Sequence, residues 1–219
     1  MESTSRPNRD TTVRVIEALG VVAVIRIRDA GKLRAVVDAI AEGGVRAIEV
    51  TMTVPGAVAL IATLSASLPS TILLGAGTVT DAATARAVID AGARFVVGPV
   101  FRRDVIDACH ARDVVAAPGC FSPTEILDAH EHGADLIKIF PATALGPSYV
   151  KDLRAPMPQL RLMPTGGVTL DNAGDWIRAG AIAVGVGSAL LDTKAIDEGR
   201  LDVLVNNARR IVASVASAR

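Results

Sequence analysis

The stretch VVAVIRIRDAGKLRAVVDAIAEGGVRAIEVT, residues 21–51, decides the fold class. It opens on a nearly unbroken apolar, β-branched run (VVAVIRI, 21–27) and continues into apolar residues at helical spacing, Leu33, Val36, Val37 and Ile40. It then stops at EGG (42–44) and returns to a second apolar run, RAIEVT (46–51). A helix between two strands that are apolar on both faces is the pattern of a parallel β–α–β unit, because a parallel sheet is covered on both sides. The same unit repeats outward from this segment. Further strand candidates are TILLGAG (71–77), RFVVGP (94–99), DVVAAPG (113–119), DLIKIF (135–140), RLMPTGG (161–167) and IAVGVGS (182–188). Val105, Ile106 and Cys109 carry helical spacing between two of them. Asp81, Ser122-Pro123 with Glu125, and Asp171 stand where helices should start, and DAGA (90–93), EHGA (131–134) and RAGA (178–181) where they should end.

Eight strand-plus-helix units with no break in composition predict an α/β fold, a single (β/α)₈ barrel. An open doubly wound sheet is the alternative; it would use fewer strands for this length, and no GxGxxG follows the first strand. The segment TTVRVIEALG (11–20) predicts an extra N-terminal helix covering the bottom of the barrel. Residues 1–219 read as one domain, with 1–10 a polar, flexible leader.

Composition narrows the function. Of 219 residues 50% are apolar, and 23 basic side chains balance 23 acidic ones. Nucleic-acid and anionic-membrane binders need a basic excess, so neither partner is expected. No apolar run approaches the roughly 20 residues of a membrane span, and the first ten residues lack an apolar signal core. Two cysteines, Cys109 and Cys120, build no disulfide framework, which points to a reducing cytoplasm. So apolar a chain without net charge suggests surface buried in an oligomer.

In a parallel barrel, functional groups gather at the C-terminal ends of the strands. Lys138 interrupts the most apolar run, LIKIF, in a chain with four lysines against nineteen arginines. Burial favours its neutral amine, a nucleophile toward carbonyl carbon and the setting for a Schiff base. Glu49, one of seven glutamates, interrupts AIEVT in the same way. The second and sixth strands of a closed barrel face each other, so this carboxylate is the expected acid/base partner. A purely structural ion pair, of Glu49 with Lys138 or Arg26, would show the same proximity. PTGGV (164–168) and GVGSAL (185–190) close the last two strands, where barrels commonly hold phosphate on backbone N–H groups. Gly166, Gly167, Gly187 and Ser188 are the candidates there. Arg26 is a candidate fork for a substrate carboxylate; Thr51, Thr53 and Thr78 are candidate hydroxyl donors. His110, His130 and His132 fall on helices in no metal-ligand pattern, so no metal and no cofactor are expected. Cys109 and Trp176 read as helix packing, and Cys120 has no histidine at a strand end to activate it.

The ordered set GGVRAIEVT, GAGTV, VVGP, APGCFSPTEI, ADLIKIFPA, MPTGGV and VGVGSAL, over residues 13–216, resembles the family of 2-keto-3-deoxy-6-phosphogluconate aldolases. That family includes 4-hydroxy-2-oxoglutarate aldolases and 6-phosphogalactonate relatives. The resemblance implies a metal-free class I aldolase that cleaves a phosphorylated 2-keto-3-deoxy sugar acid to pyruvate and glyceraldehyde 3-phosphate, in a homotrimer. It implies that Lys138 forms the Schiff base, that Glu49 is the general acid/base, and that Thr78 contacts the pyruvyl carboxylate. It implies further that Pro99 and Phe140 line the pyruvate pocket and that Thr165, Gly166, Gly167, Gly187 and Ser188 bind substrate and its phosphate. Some members carry an arginine two residues past the threonine of EVT; this chain has Thr53 there, and Arg26 is the replacement for the carboxylate. KIFPATALGPSYVKDL resembles the phosphogalactonate branch equally. A phosphosugar-binding barrel without catalysis and a phosphate-binding isomerase are the readings from other classes.

Overall fold

The computed structural model describes residues 8–219, so the first seven residues of the expected leader lie outside the described residues. The first helix, α1 (Arg9–Leu19), starts two residues before the predicted TTVRVIEALG segment. The Asn8 side chain accepts from the Thr11 N–H at 2.8 Å and so satisfies a free donor of the first turn.

Strands and helices then alternate: β1 (Val21–Ile25), α2 (Leu33–Glu42), β2 (Ala47–Thr51), α3 (Ala57–Ser67), β3 (Leu73–Gly77), α4 (Ala82–Asp90), β4 (Phe95–Val97) and α5 (Arg103–His110). There follow β5 (Val115–Ala117), β6 (Gly119–Cys120), α6 (Pro123–Glu131), β7 (Ile137–Ile139), α7 (Pro147–Arg154), β8 (Leu162–Pro164), α8 (Ala173–Arg178) and β9 (Val184–Val186). Two further helices, α9 (Thr193–Asp197) and α10 (Leu201–Ala216), complete the chain. All strand pairing is parallel. One sheet has the order β5-β4-β3-β2-β1-β9 and the other β6-β7-β8. The chain is an α/β fold whose parallel strands form a half-barrel. Every predicted run contains a strand, shorter than predicted, and the run at 113–119 is divided between β5 and β6 at Pro118. Proline has no N–H to give a ladder; its carbonyl accepts from the Lys138 N–H at 2.9 Å, which starts the pairing with β7. At the other end of the second sheet an isolated parallel bridge pairs Thr165, just past β8, with Gly185 of β9.

Alternation along the strands divides the core in two. Ile48 and Val50 of β2 and Ile137 and Ile139 of β7 belong to the layer shared with the helices. Ala47, Leu73, Phe95, Val115, Leu136, Met163 and Ala183 form a second cluster with Val13 and Ile16 of α1. Helix α1 thus covers the N-terminal ends of the strands, as its sequence suggested. Period-2 geometry then puts Glu49, two residues beyond Ala47, and Lys138, two beyond Leu136, on the same inner side.

Local signals at the helix starts behave as expected at two positions and differ at a third. Asp81 accepts from the Thr84 N–H at 2.8 Å, and Ser122 with Glu125 forms a reciprocal capping box. Asp171 does not cap α8: Asn172 occupies that place, and the Asp171 carboxylate instead pairs with Arg210 at 2.8 Å.

Candidate active site

The strand registers set the chemistry. On β2, Glu49 lies opposite Val24 of β1 and Gly75 of β3; on β7, Lys138 lies between Gly119 and Met163. Their side chains are 1% and 2% exposed, and Lys138 Nζ stands 3.9 Å from Glu49 Oε1. That is an ion pair across the interior rather than a hydrogen bond. Neither carboxylate oxygen of Glu49 has a hydrogen-bond partner among the described residues. Burial is the largest influence on this carboxyl and pushes its pKa up; the positive charges of Lys138 and, less, Arg26 pull it back. Gly77 makes room for it, since a Cβ at that position would collide with the Glu49 carboxyl group. Lys138 Nζ also lies 5.0 Å from the centre of the Phe140 ring, which presents a π face to the amine.

A cavity of about 240 Å³ opens at the C-terminal ends of β8, β9 and β1; Lys138 and Glu49 are not among its lining residues, and Phe140, which is, connects it to Lys138. Arg26, Phe140, Thr165, Gly166, Gly167, Gly187 and Ser188 all line it, so seven of the candidate residues converge on one volume. Thr165 is 5% exposed and its hydroxyl has no partner. The N–H groups of Gly166, Gly167 and Ser188 donate to no backbone acceptor among the described residues, so three donors on residues that line the cavity remain free for a ligand. Gly166 and Gly167 adopt φ of 90° and 73°, and a Cβ on Gly167 would press within 2.8 Å of Thr143 Cα. The sequence did not single out Val24 and Thr193, which also line the cavity. Val24 was hidden as an ordinary strand residue. Thr193 stands five residues past the GVGS turn, and only the fold of that loop returns it to the opening.

Other candidates stand apart. Thr51 is fully buried and donates its hydroxyl proton to the Ile25 carbonyl at 3.0 Å; its oxygen is 2.7 Å from that of exposed Thr53. Thr78 follows β3 in a left-handed conformation (φ 60°), which costs a β-branched residue strain. Pro99 is half-buried, its backbone packed against Gly119. None of these four lines the cavity. Cys109 and Cys120 are buried, and burial pushes both thiols up to about 12, so neither is a nucleophile at neutral pH. His110 and His132 pair with Asp135 and Asp107. No group of three His, Cys, Asp or Glu side chains among the described residues is placed to hold a metal ion, and no helix there is long and apolar enough to cross a membrane. Trp176 is buried in α8, as its position suggested.

Comparison with known proteins agrees with this geometry. The family described as KDPG and KHG aldolase matches residues 13–206. The chain is 34% identical over 191 residues to a 2-dehydro-3-deoxy-phosphogluconate aldolase of Pseudomonas aeruginosa, covering 87% of this chain and 85% of that one. It is 36% identical over 170 residues to a probable 2-dehydro-3-deoxy-6-phosphogalactonate aldolase of Rhizobium meliloti, covering 77% and 80%. Among solved structures, a KDPG aldolase from Legionella pneumophila holding pyruvate as a covalent carbinolamine intermediate superposes with a TM-score of 0.84 at 28% identity, covering 91% of this chain and 97% of the other.

Proposed function

Since the chain belongs to the KDPG and KHG aldolase family and is a lyase of the Schiff-base type, we propose that it cleaves 2-keto-3-deoxy-6-phosphogluconate to pyruvate and glyceraldehyde 3-phosphate. The observation that carries the residue assignment is the buried Lys138–Glu49 pair, with both carboxylate oxygens unpartnered among the described residues. An orphaned buried carboxylate costs stability and is retained where its free lone pairs serve a reaction.

In the cleavage direction the neutral Lys138 amine adds to the C2 ketone, and the carbinolamine takes up a proton from solvent and loses water to give a protonated imine. Glu49, directly or through a water, takes the proton of the C4 hydroxyl. The C3–C4 electron pair moves toward the iminium nitrogen, so C4 leaves as the aldehyde of glyceraldehyde 3-phosphate and C3 becomes part of an enamine. Glu49 returns its proton to C3, and water hydrolyses the resulting iminium to pyruvate and the free amine, returning one proton to solvent. A separation of 3.9 Å leaves the two groups close to each other without locking them in a direct hydrogen bond. The N–H groups of Gly166, Gly167 and Ser188 take the phosphate, while Arg26 and the unpartnered Thr165 hydroxyl serve the carboxylate end of the substrate and Phe140 is an apolar wall; Thr78 and Pro99 on the pyruvate side, and Thr51 and Thr53, act from strand ends outside that lining.

The 6-phosphogalactonate epimer at C4 is a second reading. A solved structure titled "Native KDPGal structure" superposes with a TM-score of 0.84 at 30% identity, covering 90% of this chain and 95% of that one. A 4-hydroxy-2-oxoglutarate substrate would leave the phosphate cradle unused. The same proposal includes one domain, closed into a complete (β/α)₈ barrel through the Pro118 and Thr165 contacts, acting as a cytoplasmic homotrimer.

Borohydride trapping with pyruvate, followed by peptide mass mapping, tests the assignment. A reduced adduct on Lys138 is expected, and coupled assays on the two C4 epimers then rank the substrates. A folded protein that gives no adduct would return the pair to a structural role and favour the binding or isomerase readings.

A further inference from the structure

A second cavity, of about 400 Å³, adjoins the first between the loop after β1 and helix α9. The two share Arg26 and Thr193 as a common wall, and the second is lined in addition by Arg28, Asp29 and Asp197. Its charges are not mutually satisfied. Asp29 accepts from the Gly31 N–H at 2.9 Å and Asp197 stands 3.5 Å from Lys32 Nζ, so neither carboxylate is paired with Arg26 or Arg28, although both line the same cavity. Arg26 and Arg28 form no hydrogen bond or ion pair with any described residue. Two unpaired guanidiniums on one rim sit beside a cradle whose other polar groups are neutral: backbone N–H groups and the hydroxyls of Thr165, Ser188 and Thr193.

A phosphate monoester is close to a dianion at neutral pH. Neutral donors orient it but supply no compensating charge, and Arg26, whose charge also acts on Glu49, is assigned to the carboxylate end of the substrate. We propose that Arg28 is a further phosphate-binding residue: it reaches across the wall shared by the two cavities and supplies a positive charge to the terminal phosphate of the substrate. This rests on the phosphorylated-substrate reading above. It makes the loop after β1, rather than the glycine turns alone, a determinant of the preference for phosphorylated over unphosphorylated 2-keto acids.

The test titrates inorganic phosphate into the full-length protein and into Arg28→Gln and Arg28→Lys, read by calorimetry or by thermal shift. Alongside it, kcat/KM is measured for a phosphorylated 2-keto-3-deoxy sugar acid and for the same acid without its phosphate. Arg28→Gln is expected to raise the phosphate Kd and to lower the phosphorylated-to-unphosphorylated kcat/KM ratio, each roughly tenfold. Arg28→Lys should recover much of both, because charge remains, and the effect should shrink as salt rises, because the group is exposed. A phosphate Kd within twofold of the parent in Arg28→Gln overturns the proposal, as does a parent protein with no saturable phosphate binding. Failure of pyruvate trapping on Lys138 would count instead against the aldolase reading, and the phosphate titration would still decide the role of Arg28.

Discussion

The two ends of the strand assembly are built from opposite materials. At the N-terminal end the inward positions are Val22, Ala47, Leu73, Phe95, Val115, Leu136, Met163 and Ala183, covered by Val13 and Ile16 of α1. One step along the same strands, the inward positions become Glu49, Gly75, Lys138, Thr165 and Gly185, with Val24, Val97 and Ala117 still apolar. The first layer is apolar and closed, and contributes stability through burial. The second carries two buried charges, a hydroxyl without a partner, and glycines where side chains would otherwise fill the space. The same backbone therefore holds a stabilising layer and a reactive one a single strand repeat apart, and substitutions in the two should separate stability from activity.

The largest effect expected is at Lys138. Lys138→Met should abolish the pyruvate adduct and lower cleavage by about a thousandfold or more, because imine formation has no substitute nucleophile. Its circular dichroism should stay that of a folded protein. Ordinary turnover by the purified variant would dissolve the contrast between the layers. Glu49→Gln comes next: loss of a general acid/base costs typically ~10²–10⁴-fold, and exchange of pyruvate methyl protons with solvent, followed by NMR, should slow with it. Exchange at the parent rate would remove Glu49 from the mechanism.

Ile16→Ala inverts the pattern. It should cost roughly 2–5 kcal/mol of stability, seen as a lower urea midpoint, while kcat/KM stays within a few-fold of the parent. A large catalytic loss with unchanged stability would mean that the covered end is not a separate layer. A smaller effect sharpens the comparison from the other side. The Glu49 carboxyl has a higher pKa in the folded protein than in the unfolded chain. It therefore binds its proton more tightly when folded, and its contribution to stability is complete below the unfolded pKa of about 4.3 and falls as pH rises through the folded value. Glu49→Gln removes that loss. The Tm difference between variant and parent should move in the variant's favour from pH 4 to pH 7, and a difference independent of pH would argue that folding does not raise the Glu49 pKa.

Much of this contrast was legible in the chain. Lys138 within LIKIF and Glu49 within AIEVT announced themselves because a charge in an apolar strand run has few structural reasons to be there. The glycine turns after the last two predicted strands were legible for a similar reason, since paired glycines mark close backbone approach. Thr193 and Arg28 were not. Both lie on polar loops, where local sequence carries no signal of what faces them across the cavity rim. The break at Pro118 and the cap at Asn172 were missed because the strand run and the capping signal each allowed neighbouring positions, and long-range partners chose among them: the Lys138 N–H for one, Arg210 for the other.

The sequence by itself determined the alternation of strands and helices, the parallel sheet with both faces covered, and the identity of the groups able to do carbonyl chemistry. These follow from local rules of periodicity and of charge in apolar surroundings. Only the tertiary structure decided that Lys138 and Glu49, on strands 89 positions apart in the chain, stand 3.9 Å from each other. It also decided that Arg26, Thr165 and the two glycine turns share one cavity while Thr51 spends its proton on the Ile25 carbonyl. Distance across a barrel-like interior is set by strand register and sheet curvature. Those depend on every strand at once, and no single stretch of sequence encodes them.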